Sequence, residues 1–160
     1  MQLTSRGRYA VMAMVDIATR QTLGCDGGPV CIAEIAQRQQ LSHAYLEQLF
    51  GRLRRAGLVA SARGPGGGYR LARPCDAIAI ADIVAAVDEE IRATRCKGGA
   101  PGCLRGTDVR CQTHDLWEEL GLQILLFLRG VSLADVVNGR VLGRARSLPA
   151  WTAPTSAAAE

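Results

Sequence analysis

Residues 42–72 read S-H-A-Y-L-E-Q-L-F-G-R-L-R-R-A-G-L-V-A-S-A-R-G-P-G-G-G-Y-R-L-A, and this stretch decides the fold. Ser42 is a good N-cap residue and Gly57 suits the left-handed position just past a helix end, so a helix is predicted from Ser42 to about Ala56. Residues 58–63 and 69–72 are short β-prone runs on either side of Gly64-Pro65-Gly66-Gly67-Gly68, which predicts a hairpin with a longer turn than the two-residue type. Working upstream, Tyr9, Met12, Ala13 and Ile17 repeat at helical spacing behind Thr4 or Ser5 as N-cap, giving a first helix over 5–21. Gly24, Gly27 and Gly28 break it. A short strand is expected at 29–32, a short second helix carrying Ile35 and Ala36 at 33–39, and a turn from Leu41. Helix, turn, helix, hairpin is the element order of a winged helix-turn-helix domain.

Downstream, a fourth helix is predicted over 81–90. Residues 91–112 lack periodicity and are rich in Gly and Cys, so an irregular loop is expected there that needs something to order it. A long helix from His114 to about Arg129 carries Leu116, Trp117, Leu120, Ile124, Leu125 and Leu128 on a broad apolar face. That face is wider than one small domain must bury. It predicts a homodimer seam, and two-fold dimers match two-fold operators. Ser132 with Asp135 makes a capping box for a final short helix. The expected fold class is mainly α with a small β wing: a winged helix-turn-helix DNA-binding domain at 1–75, a ligand-binding loop with dimerisation helices at 76–140, and a tail at 141–160. The Ala, Pro, Ser and Thr beyond about Leu148 predict disorder in that tail.

The length of 160 residues excludes a large multidomain enzyme. Hydrophobic residues at 48% and charged residues at 21% exclude a disordered chain and allow a real core. The longest apolar stretch, 122–128, is interrupted by Gln123 and falls far short of the ~20 residues that span a bilayer. No membrane partner is expected. With no signal-peptide pattern at its start, the chain is expected in the cytoplasm. Charge is uneven: through residue 75 there are ten Arg against four acids, a net +6, while the remainder carries nine Lys or Arg against eleven acids, a net −2. The basic half is the candidate for a polyanion partner. An enzyme is not expected, because no nucleophile-and-base pair stands out and the chain holds only two His. The Gly-rich turn also lacks the Lys of a phosphate-cradling loop and does not open onto a helix.

In a helix-turn-helix protein the first residues of the second helix face the floor of the major groove, which here selects Ser42, His43, Ala44, Tyr45, Glu47 and Gln48. Gln48 suits an adenine edge, Ser42 donates or accepts, and Glu47 accepts from a cytosine amino group while repelling misplaced phosphates. Arg52, Arg54 and Arg55 lie one to two turns further on, where phosphate contacts set register. Arg63, with Gly64 and Pro65 behind it, opens the wing, and an Arg on a nearly side-chain-free loop suits a narrow minor groove. Each polar position alone also fits an ordinary solvated helix face. The coincidence of element order, wing and basic charge favours DNA.

Six cysteines in a cytoplasmic chain point to metal or reactivity before disulfides. Burial as small hydrophobes is the plain reading of Cys25, Cys31 and Cys75. Cys96, Cys103, Cys111 and His114 differ, forming C-x6-C-x7-C-x2-H directly before a helix. Four soft or borderline ligands in this span suit a tetrahedral zinc or an iron-sulfur cluster. Zinc sites favour close ligand pairs and only Cys111 with His114 is one, so the wide gaps favour a cluster. An electron carrier would leave the basic half and the wing unexplained.

L-T-S-R-G-R-Y-A-V at 3–11, Y-L-E-Q-L-F at 45–50, R-L-R-R-A-G-L-V at 52–59, R-G-P-G-G-G-Y at 63–69, A-T-R-C at 93–96 and C-Q-T-H-D-L-W at 111–117 closely resemble the IscR family of iron-sulfur cluster regulators. The likeness runs over about residues 1–140. It implies a winged-helix homodimer on promoter DNA, repression of the genes that build iron-sulfur clusters, and an assembly scaffold as cluster donor. It implies a 2Fe-2S cluster on three Cys and one His, which map to Cys96, Cys103, Cys111 and His114. It also implies that Glu47 matches the acid that helps the cluster-free form discriminate operator classes, and that Ser42, Tyr45, Gln48 and Arg63 match DNA contacts. The cysteine gaps here are longer than the family's usual ones, and His43-Ala44 replaces the small hydroxyl or apolar residues common before the Tyr. A related branch senses nitric oxide through a cluster with an acidic ligand, and His114 argues against it. A nitric-oxide or redox-sensing repressor of the same family, and a zinc or thiol-switch factor without a cluster, remain the alternative expectations.

Overall fold

Ala10, Ala13, Met14, Ile17 and Ala18 recur at three- and four-residue steps and are fully buried, which makes the first helix, α1 (Ser5–Leu23), the spine of the core. The computed structural model describes residues 5–23, 28–64, 66–87, 103 and 109–142. Thr4, Cys25, Pro65, Cys96, most of the 91–112 stretch and the tail beyond 142 lie outside the described residues.

Helix α2 (Ile32–Gln39) lies against α1 and α3 (His43–Arg55). One polar device sets how α2 meets α1. Asp16 sits on the buried side of α1, and its carboxylate accepts from Arg38 Nη2 at 2.6 Å, Arg38 Nε at 3.0 Å and Gln39 Nε2 at 3.2 Å. Helix α3 buries Leu46, Leu49, Phe50 and Leu53 and ends as its sequence predicts. Gly57 takes φ +67°, the Gly57 N–H donates to Arg54 O and the Leu58 N–H donates to Leu53 O, both at 3.0 Å, which is a Schellman motif.

The wing is the antiparallel pair β1 (Val59–Ala62) and β2 (Gly68–Leu71), in register Val59↔Leu71 to Ala62↔Gly68. The strand expected at 29–32 reduces to one bridging residue, because Ile32 already begins α2. Val30 exchanges two 2.8 Å hydrogen bonds with Tyr69 and so ties β2 to the start of the helix-turn-helix.

Beyond the wing, a single 3-10 turn at Cys75–Ala77 leads into α4 (Ile80–Ala86), which begins one residue earlier than expected; the expected end at 88–90 is outside the described residues. Helix α6 (Leu133–Val137) carries both bonds of its capping box, Ser132 Oγ accepting from Asp135 N and Asp135 Oδ2 from Ser132 N. Ile80 N donates to Val131 O and Leu133 N to Ile78 O, so α4 and α6 start side by side against α1. The apolar core therefore runs across residue 75, from Ala10 to Leu133. Helix α5 (His114–Arg129) rests on α4 and lies largely outside that core: Gly121 is its one buried residue. No helix among the described residues is long and apolar enough to cross a membrane.

Candidate functional site

The apolar stripe of α3 is turned into the core, which leaves the other side of the helix to solvent. Ser42, His43, Ala44, Glu47 and Gln48 are exposed on that side. Ser42 holds the N-cap position without a side-chain capping bond. Tyr45 is half-buried, its ring edge-on to Tyr9 with centroids 6.1 Å apart. His43 Nδ1 and Glu47 Oε1 are 3.8 Å apart, one helical turn from each other.

The arginines separate by environment. Arg54 and Arg55 are exposed, and Arg55 Nε donates to Gly51 O at 3.3 Å. Arg52 is half-buried and its Nη1 donates to Val87 O at 3.1 Å, a carbonyl that Arg6 of α1 also approaches at 3.4 Å. Arg63 and Gly64 are exposed at the wing tip, while Pro65 lies outside the described residues.

The glycines of the wing have a reason internal to the chain. Gly64 adopts φ +103°, a conformation that L side chains rarely take. A Cβ on Gly68 would come within 2.4 Å of Val30 O, the carbonyl that pairs with Tyr69 N. The bareness of this loop is thus demanded by its own backbone.

The second site is at the start of α5. Cys103 Sγ lies 3.0 Å from His114 Nδ1, and Cys111 Sγ lies 3.7 Å from Thr113 Oγ1. The Cys111 carbonyl accepts from His114 N at 3.0 Å and Cys103 N donates to Val109 O at 3.1 Å, so backbone bonds hold this corner together. Both thiols are half-buried and the His114 side chain is only 11% exposed. Two thiols and an imidazole, partly shielded from water, are donors that iron or zinc accepts. Of the four residues singled out from sequence, the structure brings Cys103 and His114 into contact, places Cys111 on the turn beside them, and leaves Cys96 outside the described residues. Two carboxylates escaped the sequence reading. Ligand atoms of His114, Asp115 and Glu118 lie within 4.8 Å of one another, and Glu118 Oε2 is 3.2 Å from His114 Nε2. The i,i+4 spacing of His114 and Glu118 is the signal that shows the latter pair.

From this corner α5 runs out with a greasy surface: Leu116 is 62% exposed, Leu126 58% and Phe127 45%. Single exposed apolar residues are common, but a run of them along one helix marks an interaction surface.

A basic helix-turn-helix with a wing, attached to a thiol-and-imidazole corner and an apolar helix, defines a winged-helix transcriptional regulator. The chain belongs to the Rrf2 family, described as iron-dependent transcriptional regulators, which matches residues 3–139. It is 52% identical over 140 residues to the HTH-type transcriptional regulator IscR of Yersinia pseudotuberculosis serotype O:1b (strain IP 31758), covering 88% of this chain and 81% of that one. Among solved structures, T. potens IscR superposes with a TM-score of 0.67 at 32% identity, covering 95% of this chain and 94% of the other. CymR (YrzC), the global cysteine regulator of B. subtilis, gives a TM-score of 0.71 at 30% identity, covering 87% and 98%. The expected fold and the kinship to IscR both hold, and these relatives are transcriptional regulators, a non-enzymatic class.

Proposed function

We propose that this chain is a cytoplasmic, homodimeric repressor of iron-sulfur cluster assembly genes that reports cluster supply through a 2Fe-2S cluster bound by Cys96, Cys103, Cys111 and His114. The observation that carries the reading is the 3.0 Å approach of Cys103 Sγ to His114 Nδ1 at the head of the apolar helix. When bound, a 2Fe-2S cluster supplies a one-electron centre whose occupancy follows its supply from an assembly scaffold. The rest is done by the chain's own residues. His114 is the first residue of α5 and Cys103 precedes it in sequence, so joining them to a common group anchors the preceding segment to that helix. Helix α5 packs on α4, and α4 on α1 and α3, so a change at the ligands reaches the recognition helix through packed elements. A ligand shifts such an equilibrium only by its differential affinity for the two arrangements.

On DNA, residues 1–75 supply the reading head and 76–140 the sensing and pairing elements. Ser42, Ala44, Tyr45, Glu47 and Gln48 face the major groove, Arg52 and Arg55 approach the flanking phosphates, and Arg63, Gly64 and Pro65 enter the adjacent groove. Imidazole is neutral where thiolate is anionic, so one His among three Cys favours a cluster of higher potential that is more readily lost, which suits a supply sensor.

The test is to purify the protein anaerobically, measure visible absorbance, iron and acid-labile sulfide, and footprint one cluster-assembly promoter with loaded and cluster-free protein. Colour, two irons and two sulfides per chain, and different protection by the two forms are expected. Colourless protein without sulfide after anaerobic reconstitution overturns the proposal.

A further inference from the structure

The imidazole of His114 is held from both sides. Its Nδ1 faces Cys103 Sγ at 3.0 Å and its Nε2 faces Glu118 Oε2 at 3.2 Å. An ionised carboxylate only accepts hydrogen bonds, so the nitrogen facing it must carry the proton. In a neutral imidazole the other nitrogen then presents a lone pair, and here that nitrogen is Nδ1, on the thiol side. Metal-binding histidines commonly donate their second N–H to a carboxylate, which fixes the tautomer and the ring plane and makes the ligating nitrogen more basic.

Two features single out Glu118 for this part. It lies one helical turn beyond His114 on the same regular helix, so the backbone sets the separation. The neighbouring Asp115 is 88% exposed at its side chain and has its own partner, Arg110 Nη1 at 3.8 Å. From this geometry we propose that Glu118 is a positioning residue: it accepts the Nε2–H of His114 and thereby commits Nδ1 to be the cluster-ligating nitrogen. The inference deepens the proposed function and rests on His114 being a ligand.

Glu118 is 56% exposed and outside the core, so replacing it leaves the fold intact. The experiment compares the full-length protein with Glu118→Ala, Glu118→Gln and His114→Ala, all with 15N-labelled histidine. In the cluster-free protein, NMR of the ring nitrogens should show a protonated Nε2 in the parent and a mixture of tautomers in Glu118→Ala. In the loaded, reduced protein, pulsed EPR should show a changed histidine nitrogen coupling in Glu118→Ala, and release of iron to a chelator about tenfold faster. Glu118→Gln keeps an oxygen acceptor but loses the charge. It should retain the parent's nitrogen coupling, with a higher reduction potential. Parent-like tautomer, coupling and release in Glu118→Ala, while His114→Ala changes its coupling and release, overturn the role of Glu118 and leave His114 as a ligand. A His114→Ala protein whose coupling and cluster retention match the parent overturns both.

Discussion

Asp16 is an acid on an apolar helix face, and its environment works in two directions. Burial pushes its carboxyl up, but hydrogen bonds from Arg38 and Gln39, with the charges of Arg38 and Arg20, outweigh burial and hold it below the ordinary aspartate range. A lowered pKa in the folded state means that the ionised form stabilises the fold. That contribution is complete above the unfolded value of about 4 and is lost as pH falls through the lower folded value. Asp16→Asn keeps the volume and removes the charge. With Arg38 about a third exposed, the loss should be about 1–2 kcal/mol, lowering Tm by roughly 3–6 °C in a chain of this size. Thermal melts of both proteins from pH 7 to pH 3 check this: the two curves should converge below about pH 4, and a gap that stays constant over the range rules the account out.

Among the elements, α5 tests pairing of two chains. Leu116, Leu120 and Phe127 are separated by four and seven residues, so they share one stripe of the helix, and all three are exposed. Phe127→Glu puts a charge on that stripe without touching the core, so helicity by circular dichroism should be unchanged. Light scattering should show the dimer falling to a monomer, and operator affinity should drop by at least about a hundredfold as two-site binding is lost. A dimer of parent mass in the variant shows that another surface carries the pairing. The recognition helix, the wing and the capping box were legible in sequence, because each is written in local periodicity or in a cap at fixed spacing. The greasy face of α5 was legible in part, since Leu116, Trp117 and Leu120 are exposed as expected while Ile124, Leu125 and Leu128 are half-buried and Leu122, Leu126 and Phe127 are exposed instead. What was not legible depends on residues distant along the chain. Asp16 meets Arg38 across 22 positions, and Val30 meets Tyr69 only once the wing has folded back, so a strand was expected where one bridging residue stands. At the thiol corner, the ligand types could be read from spacing, whereas the approach of Cys103 to His114 needed the turn at 111–113 to be built.

For the whole molecule, the question is how the ligand corner and the DNA face influence each other, and Arg52 and Arg63 separate the alternatives. Arg63 stands exposed at the wing tip, and a phosphate or groove contact there contributes equally whichever state the sensor is in. Arg52 belongs to the recognition helix but reaches Val87 O at the end of α4, ahead in sequence of the proposed ligands. It therefore bridges the reading head to the element whose far end leads to the ligands. Coupling between two sites needs an element whose arrangement both of them bias, and under the proposed function this contact would serve as such a link. Operator affinity measured by fluorescence anisotropy across a salt series, with loaded and cluster-free protein, distinguishes the two. Arg63→Ala should weaken both forms by the same factor and reduce the salt slope by about one for each wing. Arg52→Ala should instead bring the affinities of the two forms to within about twofold of each other, since the cluster then has less differential hold on the recognition helix. If Arg52→Ala shifts both forms in parallel, as Arg63→Ala does, Arg52 acts as a phosphate contact alone and any signal reaches α3 through the packing of α4 on α1 and α3 rather than through this side chain.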